Sequence, residues 1–303
     1  MPSAELPLTL WERFSQFAFY QHALAAGLAI AVGCAVLSVF VVHRRMAFIG
    51  QGVTHAAFGG VGAALFLELW LPALRHPLLR EAIVAFFCVA TAILIGRIGR
   101  QRRIGEDSAI GIVLVVAMAV GVILIDLRTE WVRRMAAGGE LRAVWQGYAP
   151  SFHDILFGSI LSVTRTEVWV AVGVTAAVLL WVAVFFRGLL FYAVDEEGAT
   201  AFGLPTVHLH YGLLVALGLM IVVAMRLLGV ILISALLILP GITAGLWSRR
   251  IVRVIVASMA FAAASLIVGL LASMQIQVLS TGPVIVVVLA LFFLVSWITR
   301  GRR

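Results

Sequence analysis

Long runs free of Asp, Glu, Lys and Arg recur along the chain, at 18–42, 46–67, 82–96, 109–125, 168–186, 207–225, 227–248 and 254–299. An α-helix rises about 1.5 Å per residue, so about 20 mostly apolar residues cross the hydrocarbon of a bilayer. The last run holds 46 residues and accommodates two crossings, dividing at the polar Met274-Gln275 and Ser280-Thr281-Gly282-Pro283. The pattern predicts an all-α, polytopic integral membrane bundle of about nine transmembrane helices, with bounds of eight and ten. It forms a single domain over 1–303. His153–Val163 is apolar but too short to cross, and it reads as a re-entrant or interfacial helix.

Composition supports the bilayer over water. Hydrophobic residues make up 63% and charged residues 12%, against about 45–50% and about 25% in soluble domains. All 22 basic residues are Arg. The missing Lys excludes a P-loop, whose Lys reaches the phosphates, and Schiff-base chemistry, which needs a Lys amine. The net charge of +8 reads as topology rather than as a nucleic-acid footprint, because basic residues collect in cytoplasmic loops. With the N-terminus outside, 13 of the 22 fall on inner loops, among them Arg44, Arg45, Arg97, Arg100, Arg187, Arg249, Arg250, Arg253 and Arg300. That arrangement puts the C-terminus in the cytoplasm, 126–151 in an outer loop and 195–205 inside. Residues 1–17 contain Glu5, Glu12 and Arg13 and lack a basic n-region, so they are expected to lie in the outer interface rather than to form a cleaved leader. Cys34 and Cys88 sit in apolar runs and read as buried structural thiols.

Few residues offer chemistry. His55 lies mid-run, with Gln51 one turn earlier on the same helical face and Gly59 and Gly62 continuing it. Ionisable groups at membrane depth are costly and mark pathways or sites, while Gly-rich faces admit close helix approach. Two readings stay open: a neutral imidazole passing a metal ion or a polar substrate, or an interhelical hydrogen bond that locks the bundle. Asp195-Glu-Glu-Gly-Ala-Thr-Ala-Phe-Gly-Leu-Pro205 predicts a short helix capped by Asp195 and ended by Gly203 and Pro205. Presenting Ala199 and Phe202, it reads either as a docking element or as an ordinary solvated loop. Pro240-Gly241 breaks a helix within the membrane, where freed carbonyls either line a cavity or are satisfied locally, for instance by Ser234 and Thr243. His208 and His210, two residues apart, point apart on a helix and read as interfacial, as do His22, His43 and His76 at span ends. No catalytic signature such as His-Glu-x-x-His is present, which disfavours an enzyme.

Three strings together resemble one family. Arg45-Met-Ala-Phe-Ile-Gly-Gln-Gly-Val-Thr-His-Ala-Ala-Phe-Gly-Gly60 is similar to the second-helix signature of the zinc/manganese/iron ABC-importer permeases. Asp195–Gly203 is similar to their cytoplasmic coupling segment, and Gly229–Ala244 to their most recognisable motif. Leu156–Leu161 also fits, and the likeness covers about residues 20 to 300. The resemblance implies a permease of the bacterial inner membrane, paired with a second copy or a sister permease and driven by two cytoplasmic ATP-binding subunits. An extracytoplasmic metal-binding protein would deliver a divalent cation, which is cargo rather than a resident cofactor. It further implies that His55 is a pore ligand, with Gln51 standing where the family has Asp; an amide oxygen is the weaker ligand. Asp195, Glu196, Glu197, Ala199, Phe202 and Gly203 would couple to the ATPase, and Ser234, Pro240 and Gly241 would form the pore-side helix break. A secondary transporter or channel is the alternative from another class, but intramembrane carboxylates for ion coupling are not visible. A cobalamin/siderophore-type permease shares the coupling logic but not the Gln51/His55 helix.

Overall fold

The computed structural model describes residues 18–101, 104–136, 158, 163–275 and 280–300. The expected interfacial segment 1–17 lies outside them, as does most of 153–163. The regular elements among the described residues are all helices, without a strand. In chain order the helices are α1 (Ala18–His43), α2 (Ile49–Leu67), a 3-10 turn at Pro72–Arg75, α3 (Pro77–Gly99), α4 (Glu106–Ala136), α5 (Arg165–Val184), α6 (Phe186–Val194), α7 (Glu196–Ala201), α8 (Thr206–Leu236), α9 (Leu239–Trp247), α10 (Ile251–Gln275) and α11 (Thr281–Arg300).

Seven helical stretches are long and apolar enough to cross a membrane: Ala18–His43, Leu78–Gly99, Glu106–Met135, Arg165–Val184, Thr206–Trp247, Ile251–Gln275 and Thr281–Arg300. The stretch Thr206–Trp247 counts 42 residues, at about 1.5 Å each roughly twice the thickness of the hydrocarbon. It is interrupted at Gly229, whose φ of 79° and ψ of 161° are non-helical, and again at Leu237-Ile238. Helix α2 is 19 residues long, but Gln51, His55 and its glycines lower its hydropathy below that of the seven. Large side chains face outward along these helices: Phe86 is 76% exposed, Trp169 66% and Ile298 63%, as suits a lipid-facing surface.

One expectation changes. Residues 126–136, the start of the expected outer loop, continue α4 as helix. Glu130 pairs with Arg133 at 3.2 Å and with Arg134 at 2.9 Å, the i,i+3 and i,i+4 spacings that support a helix beyond the apolar core. The remainder of that segment lies outside the described residues.

The chain divides into two compact units, one of 1–39, 156–181 and 226–303, the other of 40–155 and 182–225. In the first, Val39, Ala244 and Val254 form a small core with Ile255, Ala257 and Phe261 against it. Ser258 donates to the Ala35 carbonyl at 2.9 Å, and Gly269 lets α10 lie on Ile285 of α11, where a Cβ would come within 2.9 Å of the Ile285 Cα. In the second, α2 packs against α3 and α4 through its glycines. A Cβ on Gly59 would lie 2.6 Å from the Ala117 carbonyl oxygen, and one on Gly62 would lie 2.5 Å from that of Gly121. Those contacts are backbone to backbone, which only residues without a side chain permit.

Candidate functional site

The glycine packing orients the helix that carries the histidine. Gly52, Gly59, Gly60 and Gly62 are buried under α3 and α4. Gln51 is exposed and His55 half-buried on the stripe those neighbours leave uncovered. The face expected to be continuous therefore divides: its Gly59–Gly62 end is packed and its Gln51–His55 end is open. Among the described residues His55 has no hydrogen-bond partner. Thr54 folds back on the helix, donating to the Gln51 carbonyl at 2.9 Å. Among the described residues no three His, Cys, Asp or Glu side chains converge to hold a metal. One imidazole and one amide provide two of the four to six ligands that transition ions take.

The segment 195–205 folds as its local chemistry dictates. Asp195 caps α7, its Oδ1 accepting from the Gly198 amide at 2.9 Å. Gly203, at φ 77°, ends it, with Gly203 N donating to the Thr200 carbonyl and Leu204 N to that of Ala199, both at 3.0 Å. Phe202 is 81% exposed beside Phe191, and Glu197 is exposed. Ala199, expected on the presented face, is instead wholly buried, because a six-residue helix lying on the protein surface must turn one side inward. Glu196 also points inward: Arg44 reaches its Oε2 at 2.5 Å and Arg100 its Oε1 at 3.4 Å. A cleft of about 650 Å³ runs along this side, lined by Gly99, Arg100, Glu106, Glu196, Glu197, Thr200 and Ala201.

The break at Leu237-Ile238 is closed by a residue that the sequence did not single out. Ser38 of α1 accepts from the Gly241 amide at 3.0 Å and donates to the Ile238 carbonyl at 3.4 Å. Ser234 and Thr243 bond carbonyls of their own helices, Val230 at 3.0 Å and Leu239 at 2.7 Å. Pro240 and Gly241 are buried, and a Cβ on Gly241 would meet Ser38 Oγ at 2.5 Å.

Two further residues carry more than their sequence context promised. His210, expected to be interfacial, is 1% exposed, and its Nδ1 lies 2.7 Å from the Tyr192 hydroxyl. Tyr192 in turn lies under the Arg44 guanidinium, 4.3 Å from the ring centre. His208 is exposed, so only the spacing argument, which sets the two rings apart, holds for both.

Length, apolar surface and helix count define an integral, multi-pass membrane protein with a short capped helix and a stapled helix break between its spans. Residues 16–300 match the ABC 3 transport family, and the chain belongs to it. It is 31% identical over 290 residues to the manganese transport system membrane protein MntC of Halalkalibacterium halodurans, covering 94% of this chain and 88% of that one. It is 32% identical to the manganese import system permease protein ScaB of Streptococcus gordonii (95% and 93%) and 31% to the chelated iron transport system membrane protein YfeD of Yersinia pestis (93% and 86%). Among solved structures it is similar to a chain of PsaBC from Streptococcus pneumoniae in complex with Fab, with 31% identity, a TM-score of 0.75 and coverage of 95% and 94%.

Proposed function

We propose that this chain is the permease subunit of an ATP-driven importer that moves a divalent transition-metal ion (manganese, iron or zinc) into the cytoplasm. The observation that carries the reading is the end-to-end likeness to manganese and iron transport permeases, combined with an open stripe on α2 that offers His55 and Gln51. A second copy, or a sister permease, facing that stripe would add its own ligands to His55 and Gln51, beside which the described residues bring no group of three His, Cys, Asp or Glu. Gln51 in place of a carboxylate makes the passing site weak, which favours release, since conduction requires binding loose enough to let go.

Division of Thr206–Trp247 at Gly229 into two crossings, with α2 as another, brings the seven stretches to nine. With the N-terminus outside, α7 and the terminal arginines would lie in the cytoplasm. There α7, with exposed Phe202 and Glu197, would dock on a dimer of ATP-binding subunits, while a metal-binding protein would load the opposite side. Radiometal uptake, normalised to assembled complex, tests the ligand assignment. Both His55→Ala and His55→Gln should lower uptake sharply, and Gln51→Asp should strengthen metal retention and slow release. Near-normal uptake by His55→Gln would end the assignment, because glutamine preserves hydrogen bonding but not imidazole ligation.

A further inference from the structure

Glu196 was expected to face the ATPase, yet both of its carboxylate oxygens are engaged within the chain. We propose that Arg44 and Glu196 form a clamp that ties the coupling helix α7 to the start of α2, delivering movement of α7 to the helix that carries Gln51 and His55. This rests on the reading of α7 as the element the ATPase moves.

Arg44 directly follows His43, the last residue of α1, and the turn it opens has no slack. Arg45 stands at φ 58°, the left-handed position usually given to glycine. Arg45 N donates to the Val42 carbonyl at 3.1 Å and Met46 N to that of Val41 at 3.0 Å. Ile49 N then returns to the Met46 carbonyl at 3.0 Å, and Met46 itself is 1% exposed. A pull on the Arg44 guanidinium therefore reaches the first turn of α2 through three residues with fixed hydrogen bonds, and Gln51 follows two residues on.

The other end of the clamp is equally fixed. Exposed ion pairs are too weak and mobile to carry force, but the Arg44 side chain is 15% exposed and that of Glu196 29%. The guanidinium also sits over the Tyr192 ring and contacts the Tyr192 carbonyl at 3.5 Å. Tyr192 is wholly buried and held by His210, whose ring has room only because residue 96 is glycine: a Cβ there would lie 2.8 Å from His210 Nε2. Arg100, capping the end of α3, takes the second oxygen of Glu196. Glu196 is thus a positioning residue bonded to two helix ends, whereas its neighbour Glu197 is turned outward.

The test uses the complex of permease, ATPase and binding protein in vesicles, reading manganese taken up per ATP hydrolysed for Glu196→Gln, Arg44→Gln and the double variant. Each single change should lower that ratio about tenfold, a usual size for coupling between sites. The double should lower it no further, and the ATPase should co-purify with all three. Losses that multiply in the double variant would overturn the clamp. So would loss of the ATPase from Glu196→Gln alone, which would mean that Glu196 docks directly. Hydrogen exchange of amides 46–52 in the purified permease reads the clamp without transport: both single variants should speed it, and unchanged exchange overturns the proposal. If the unaltered complex moves no manganese with ATP while exchange behaves as expected, the importer reading fails and the clamp stands.

Discussion

The crossing of α2 and α4 makes a quantitative claim that one substitution isolates. A Cβ on Gly62 would sit 2.5 Å from the Gly121 carbonyl oxygen and 2.9 Å from its Cα, where ordinary contacts begin near 3.4 Å. Both obstructing atoms are backbone, so no rotamer change relieves the clash and the helices must part by about 1 Å, losing close contact along the crossing. Valine gains a few tenths of a kcal/mol of intrinsic helix propensity over glycine, and a second Gly→Val change on a helix cancels that gain, which leaves packing as the difference. Overpacking costs about 1–3 kcal/mol, and the upper end applies where only backbone can yield. At about 2–4 °C per kcal/mol, Gly62→Val should lower the melting temperature in detergent by roughly 6–12 °C. Gly111 on α4 is the control: nothing lies within 4 Å of its position, so Gly111→Val should melt near the parent. The assay is thermal unfolding of the purified chain, followed by loss of the monodisperse species. Melting of the two variants within a degree of each other would refute the claim that this backbone contact holds α2 in place.

Ser38→Ala leaves the Gly241 amide buried without its acceptor, at a cost of about 1–3 kcal/mol; it should melt lower than Ser234→Ala, whose hydroxyl only bonds back to the Val230 carbonyl of its own helix. A reporter fused after Arg300 should report the cytoplasm and one inserted between Ala136 and Arg165 the outside; the opposite pattern would overturn the nine-crossing threading.

What the sequence made legible follows the range of the interactions involved. Charge-free runs located the apolar helices because the bilayer imposes one length and one composition on each of them. The ends of α7 were legible for the same local reason: the Asp195 cap spans three residues, and the Gly203 turn is fixed by its own backbone. Where two local signals conflicted, the cruder one misled. Residues 126–136 carry Asp126, Arg128, Glu130, Arg133 and Arg134, a density that reads as loop, yet the spacing of Glu130 with Arg133 and Arg134 is that of a helix.

The polar residues that tie distant segments together had no such signature. Ser38 and Gly241 are 203 residues apart, and Arg44 and Glu196 are 152 apart. Nothing in the neighbourhood of either partner announces the other. By sequence Arg44 reads only as a topological charge and His210 only against His208, although the partner of His210, Tyr192, lies on a different helix. In an apolar environment an unpaired polar group is expensive, so a serine deep in a valine-rich helix implies a partner even when the sequence does not say which. That rule attaches to Ser38 only once its depth is known, and it leaves Gly241, Arg44 and Glu196 to be supplied by the fold.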